Sequence, residues 1–381
     1  MSGGEGVAYI DAFRDGAAAR GLAQCITAEV EPGRRYRFME FCGGHTHAIF
    51  RFGLMDLLPP EIQLVHGPGC PVCVLPSGRL KNALELAHRP GVILTSYADM
   101  MRVPTPQGET LLKAKAAGCD VRMIYSAAES LELARRHPQR EVIFFAIGFE
   151  TTAPPTAVVA RQAHQEGLKN FSIFCNHVLT PPAIRHILEA PEIRESGAPE
   201  LDGFIGPAHV SAVIGTQPYE YFAEEYAKPV VVAGFEPLDV LQAVRMLVRQ
   251  VNEGRSVVEN EYSRAVTREG NLKAQGLIAD LFEMRRRFEW RGLGMVPYSA
   301  LRLRGEFAQL DAERRFGVEE IVLPDPAACQ CGSVLRGIVE PPRCKVFGTA
   351  CTPEHPIGAC MVSSEGACAA YFSYGRRPAS D

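Results

Sequence analysis

An α/β architecture, with two parallel-sheet α/β domains followed by a loop-rich cysteine-bearing C-terminal domain, is what this 381-residue sequence predicts. Three observations lead there. Short β-branched and aromatic runs alternate with segments of helical periodicity through the first two thirds, which is the pattern of βαβ units. Glycine, histidine and cysteine concentrate where those runs end. The pattern then changes after about residue 252.

The strand runs are 36–42, 62–65, 92–95, 121–125, 142–147, 171–174, 204–206 and 230–233, and helical periodicity is clearest over 78–88, 126–136, 154–167 and 237–252. Eight such units also fit a closed barrel, but two smaller open sheets fit as well, with a break at the polar, proline-containing stretch 137–140. The expected domains are therefore 1–140, 141–252 and 253–381. In the last, a helical stretch over 277–288 leads to Trp290-Arg291-Gly292-Leu293-Gly294 and then to a tail with few apolar runs. Such a tail is poor core material, and a bound metal centre would organise it.

Composition excludes several function classes. With 46% hydrophobic and 22% charged residues the chain is an ordinary globular one, and a net charge of −4 leaves no basic footprint for nucleic acid. The first residues lack the basic and apolar regions of a signal peptide, and the apolar stretch 142–149 is too short to span a bilayer, so the expected location is cytoplasmic, with no membrane partner.

Twelve cysteines in a reducing compartment then point to metal or redox chemistry. Cys25, Cys119 and Cys175 stand singly and read as plain buried residues. The other nine fall into two sets.

The tail carries Cys329, Cys331, Cys344, Cys351, Cys360 and Cys368. Structural zinc sites usually present two tight pairs. The long, uneven intervals here suggest loops converging on a larger object, a [4Fe–4S] cluster, with zinc or reduced structural thiols as the alternatives. Near the start, Cys70-Pro71-Val72-Cys73 has the spacing of a redox pair beside an α/β pattern, or of half a zinc site. In Cys42-Gly43-Gly44-His45-Thr46-His47 a strand ends and a helix begins, so the unpaired amides of the helix start should stabilise a Cys42 thiolate. His45 is the better site candidate, because His47 can serve to cap or pack. Glu150-Thr151-Thr152 before Pro154-Pro155 reads as a threonine cap followed by first-turn proline. There is no P-loop or dinucleotide fingerprint.

Together FMEFCGGHTHAIFRFGL, HGPGCPVCVLP, SYADMMRVP, AIGFETTAPPTA, CNHVLTPPA, GPAHVSAVIG, VVAGFEPLD, CQCGSVLRG and CKVFGTACTPEHPIGACMVSSEGACAAYF resemble, in this order and over nearly the whole chain, the hydrogenase maturation HypD family. Ala98 stands where that family usually has glycine. The resemblance implies two α/β domains plus a [4Fe–4S] domain, a HypC-type chaperone as partner, and transient cyanide delivery from HypE with HypF. It implies a scaffold that assembles the Fe(CN)2CO unit of [NiFe]-hydrogenase rather than a conventional turnover enzyme. Cys42 would ligate the iron with His45 in its shell, Cys70 and Cys73 would be the redox thiols, and Cys329, Cys344, Cys351 and Cys368 would hold the cluster, unless Cys331 or Cys360 replaces one of them. Glu365 either contributes a carboxylate near the thiol loop or holds the tail by hydrogen bonds. Two other readings compete: a thiol-disulfide oxidoreductase using Cys70 and Cys73, and a zinc-stabilised adaptor using Cys42, Cys70, Cys73 and His45.

Overall fold

A computed structural model describes residues 11–189, 191, 195, 197 and 200–375. Its strands form two all-parallel sheets. The first takes β1 (Tyr36–Glu40), β2 (Ile62–His66), β7 (Gly203–Pro207), β8 (Val230–Ala233) and β9 (Val258–Asn260) in the order β2-β1-β7-β8-β9. The second takes β3 (Val92–Ser96), β4 (Asp120–Met123), β5 (Glu141–Gly148) and β6 (Phe171–His177) in the order β4-β3-β5-β6. β5 shows why: its run from Val142 is buried on both faces, as parallel strands flanked by helices must be. All eight strand runs expected from the sequence are strands here.

The division into domains differs from the expected one. The chain leaves the first sheet after β2, builds the whole second sheet, and returns with β7. The boundary at 137–140 consequently falls inside the second sheet, between β4 and β5, both of which pair with β3. Alternating strands and helices fix that sheets are parallel, but not which strand each crossover returns to.

The stretch after 252 is also not one unit. β9 pairs with β8 in the first sheet. Helix Leu272–Leu281 packs on helix Ala153–Gln165, and bridges Val178–Ala300 and Ile173–Asp311 tie the following chain to the second sheet. The helix expected over 277–288 ends at Leu281. Its remainder is strand: β10 (Phe282–Met284) pairs antiparallel with β13 (Leu301–Leu303), and β11 (Arg287–Trp290) with β12 (Gly294–Pro297). Only the cysteine-rich segment beyond Pro324 forms the loop-rich tail, and it lies on helix Gly43–Arg51 through its own helix Ala367–Tyr374. Phe50 and Tyr371 meet there with ring centroids 4.6 Å apart.

The two sheets and the tail share one apolar core, which runs from Met39 and Val65 through Phe145, Phe204 and Trp290 to Cys331 and Cys360. In each sheet the strand order reverses beside a central strand, at β1/β7 and at β3/β5. Open parallel sheets bind ligands at the carboxyl ends of strands at such points.

A buried ion cluster locks the later chain to this frame. Glu313 accepts from Arg79 at 2.5 Å and from Arg285 at 3.1 Å, and Arg79 also donates to the Cys175 carbonyl at 3.1 Å and lies over the Phe174 ring. Burial works to raise Glu313, but the two guanidiniums prevail and hold it at about 2. A carboxyl lowered from its usual value near 4.5 contributes roughly 3 kcal/mol. That contribution is complete above pH ~4.5 and is lost as pH falls through the folded value near 2. Glu313→Gln, which strands two buried cations, should cost about 3 kcal/mol in urea unfolding at pH 7. The gap from the parent protein should narrow as pH drops below the unfolded carboxyl range. An unchanged urea midpoint at pH 7 would contradict the role given to this cluster.

Candidate metal and thiol site

β1 ends at Glu40, and Cys42 is the residue that caps the helix Gly43–Arg51. Glu40 has no solvent exposure. It accepts the Cys42 N–H at 2.8 Å, the Thr46 hydroxyl, and His66 Nδ1 at 2.8 Å from the end of β2. One carboxyl group thus ties two strands and the helix start together. The next loop presses on the same place: a Cβ on Gly69 would stand 2.4 Å from the Cys42 nitrogen, and Gly43 N–H donates to the Gly69 carbonyl at 3.1 Å. Glycine at 69 is what lets the Cys70 loop lie against Cys42.

The helix start does not make Cys42 acidic, contrary to the expectation from its position. Burial pushes the thiol well up and the Glu365 carboxylate adds to it, while the amides of Gly44 and His45 pull the other way and lose. A buried thiol beside carboxylates is a poor nucleophile but a good seat for an incoming cation, which reverses the balance by displacing the proton.

His45 is fully buried. Its Nε2 lies 3.0 Å from both the Ala233 and Gly234 carbonyls, so Nε2 carries the proton and donates. Among the described residues Nδ1 has no hydrogen-bond partner. Burial lowers the ring's pKa despite Glu40, which keeps the imidazole neutral with a free lone pair. His47 instead packs on the tail, near the Ser364 carbonyl at 3.4 Å and against the Tyr374 ring.

Glu365 comes from the tail and sits on the first turn of the Cys42 helix, where a Cβ on Gly43 would be 2.4 Å from its own Cβ. Burial raises it, and Asp99 and Glu40 add to that. Glu150 follows β5, accepts from Thr180 N–H at 2.8 Å and its hydroxyl at 3.1 Å, and is pushed up to about 7 by burial. The Tyr219 phenol is raised chiefly by burial, with further contributions from Glu150 and Cys42. The threonine cap expected before Pro154 takes another form, since the Thr152 hydroxyl bonds back to the Ile147 and Phe149 carbonyls. Sequence reading passed over Glu40 and Tyr219, and read Glu150 only as part of a helix cap, because a buried carboxyl or phenol has no local signature.

Cys70 and Cys73 are joined as a disulfide, their Cα atoms 5.2 Å apart, at the start of the short helix Pro71–Val74. The pair is enclosed, at 3% and 0% exposure, so a bulky substrate cannot reach it. With both sulfurs bonded to each other, the four-donor set Cys42, Cys70, Cys73 and His45 cannot close on zinc in this state. Among the described residues no three His, Cys, Asp or Glu side chains converge tightly enough for a single metal ion.

All six tail cysteines line one small pocket with Val334, Val346, Phe347 and Met361. Cys331 and Cys360 approach to 2.6 Å between sulfurs, and a Cβ on Gly358 would stand 2.4 Å from the Cys329 sulfur. Hydrogen bonds from Cys329 and Cys360 favour the Cys331 thiolate against burial, and nearby Arg291 helps. A thiol-lined cradle with apolar walls, kept open by glycine, has the donor chemistry of an iron–sulfur site. The cavity adjoins the disulfide, because Pro71–Val74 packs on the turn Ala359–Met361. Arg291 clamps the connection: its N–H donates to Val74 at 2.8 Å and its guanidinium to Leu75 and Ser77, each at 3.0 Å. Of the three single cysteines, Cys175 is buried and Cys119 partly so, but Cys25 is exposed rather than buried.

Among the described residues no helix is long and apolar enough to cross a membrane. The family model HypD, described as "Hydrogenase formation hypA family", matches residues 17–375. The chain is 62% identical over 368 residues to the hydrogenase maturation factor HypD2 of Bradyrhizobium diazoefficiens, covering 97% of each. It is 61% identical over 368 residues to the HypD factor of Cupriavidus necator, again covering 97% of each. Against the HypD factor of Escherichia coli the identity is 49% over 342 residues, 90% of each chain. A match spanning both sheets, the Cys42 turn and the cysteine tail establishes that this chain belongs to the HypD family.

Proposed function

We propose that this chain is a cytoplasmic scaffold for [NiFe]-hydrogenase maturation, on which the Fe(CN)2CO unit is assembled with a HypC-type chaperone. The observation that carries the reading is the convergence of three sulfur centres: Cys42 abuts the Cys70 loop, and that loop abuts the tail cavity. HypE, with HypF, would deliver the cyanide groups.

In this reading the iron is cargo. Cys42 contributes one soft thiolate, and a thiolate of the chaperone supplies a second, which keeps the metal electron-rich enough to hold cyanide and CO. A site built for transfer needs only part of its ligands from this chain. His45, neutral with Nδ1 unprotonated, stands in the iron's shell, Glu365 places a carboxyl group beside it, and the proton Cys42 loses on binding passes to solvent. Cys70 and Cys73 cycle between disulfide and dithiol. Oxidation of the dithiol releases two electrons and two protons, and re-reduction consumes the same. Cys329, Cys344, Cys351 and Cys368 would hold a [4Fe–4S] cluster, with Cys331 and Cys360 set against each other at its edge. Such a cluster supplies single electrons at a protein-tuned potential. The enclosure of the disulfide favours this internal use over a general thiol-disulfide oxidoreductase.

Cys42→Ser replaces the soft ligand with a hard oxygen while leaving the Glu40 hydrogen bonds in place. The variant should fold and bind the chaperone yet show no infrared bands of iron-bound cyanide and CO. Persistence of those bands would move the ligand role elsewhere. For the tail, Cys344→Ala or Cys351→Ala should abolish the broad visible absorption of the anaerobically purified protein and lower its thermal stability. Intact absorbance and iron content in both variants would remove these residues from the cluster. For the thiol pair, mass spectrometry after alkylation should find Cys70–Cys73 reversibly disulfide-linked. Thiols that stay metal-protected and never pair under mild oxidation would restore the zinc reading.

A further inference from the structure

Behind the Ala233–Gly234 backbone lies a carboxyl pair, one member buried and one partly buried, that the assembly chemistry leaves unused. Asp239 has no solvent exposure, and Oδ2 accepts the Glu236 N–H at 3.2 Å and Arg264 at 2.5 Å. Its other oxygen, Oδ1, has no donor. Glu261 stands beside it just beyond β9, its backbone N–H fixed to the Val232 carbonyl at 2.9 Å. Burial, and then the Asp239 charge, raise Glu261 to about 7, against the pull of Arg264, whose guanidinium lies 4.0 Å from it.

Both groups grip one peptide. Glu261 Oε2 accepts the Gly234 N–H at 3.3 Å. A Cβ on Gly234 would stand 2.0 Å from Asp239 Oδ2 and 2.8 Å from the Tyr262 ring, so glycine alone lets that backbone settle onto the pair. The next residue, Phe235, lies against the His45 ring at 5.0 Å, and a Cβ on Gly44 would meet its edge at 2.5 Å. The Gly234 carbonyl, together with that of Ala233, is what His45 Nε2 faces.

We propose that Asp239 and Glu261 are positioning residues that fix the Gly234 backbone and so hold His45 in the Nε2–H tautomer. The tautomer is the consequence that matters. A ring nitrogen facing two carbonyls must donate, which leaves Nδ1 as an unprotonated lone pair in the buried first turn of the Cys42 helix. If the Ala233–Gly234 peptide rotates, the Ala233 carbonyl turns away, the two-carbonyl cradle is broken and the proton can move to Nδ1, which then neither accepts a bond nor meets a metal. Such a partner of a histidine commonly sets which nitrogen is free. The assignment deepens the assembly reading, because it matters for iron only if His45 belongs to the Cys42 site, but the tautomer itself exists without iron.

The test is long-range proton–nitrogen correlation NMR on the full-length metal-free protein labelled with nitrogen-15 histidine, with His45 assigned by loss of its signals in His45→Gln. In the parent protein Nδ1 should resonate as an unprotonated and Nε2 as a protonated nitrogen. Glu261→Gln should keep that pattern, because its amide donates to Asp239 and its oxygen accepts from Gly234 as the protonated acid does. Glu261→Ala should lose it, giving averaged or split His45 signals. Should the alanine variant not fold, Glu261→Asp, one methylene too short to reach Gly234, should give the same loss. An unchanged single tautomer in the alanine or aspartate variant would overturn the proposal, and so would loss of the tautomer in Glu261→Gln. Since no metal is present, absence of iron loading in the parent protein would strike the assembly reading and leave this assignment standing.

Discussion

Glu40 is the group on which the arrangement of the site depends. A carboxyl group taken wholly out of water is costly unless its oxygens are bonded, and here three donors converge on it: the Cys42 amide and the Thr46 hydroxyl at the start of one helix, and His66 at the end of β2. Meeting that demand fixes the end of β1 to the end of β2 and orients the first turn of the helix between them. Cys42 then cannot move independently of the loop that leads from His66 to Cys70. The tail completes the arrangement by laying Glu365 on the same turn, against Gly43, and by setting Cys360 behind the disulfide helix.

The electrostatics of that turn favour transfer over turnover. Every titratable group near Cys42 whose pKa is shifted is driven towards its neutral form by burial: the thiol, His45, Glu150, Glu365 and the Tyr219 phenol. A neutral, dry site has little to gain from attacking a substrate. A cation entering it, however, is drawn to a thiol, a free imidazole nitrogen and carboxyl groups that can all yield negative charge or lone pairs to it.

Much of this was legible in the sequence, and the reasons differ from residue to residue. The eight strand runs were legible because parallel strands buried on both faces are continuous apolar runs, and Cys42, Cys70 and the tail cysteines because twelve cysteines in one chain are conspicuous. The pairing of strands was not. Nothing in the run 203–207 announces that it returns to β1 rather than extending the second sheet, because crossover connections carry no label for their partner. The strands β10 to β13 were missed because residues 282–303 form short antiparallel pairs, half exposed, in which helical and strand periodicity look alike. Glu40, Asp239 and Glu261 were invisible as functional groups, since a carboxyl's burial and its partners arise only when distant segments meet.

If the proposed function holds, iron bearing cyanide and CO resides on this chain beside a redox-active thiol pair. Infrared spectroscopy of the unaltered protein purified anaerobically together with a HypC-type chaperone, with iron content determined on the same sample, tests this at the site itself. Bands of iron-bound cyanide and CO are expected, with iron in excess of what a [4Fe–4S] cluster requires. A chaperone complex that shows cluster absorption but carries neither the additional iron nor those bands would overturn the proposal.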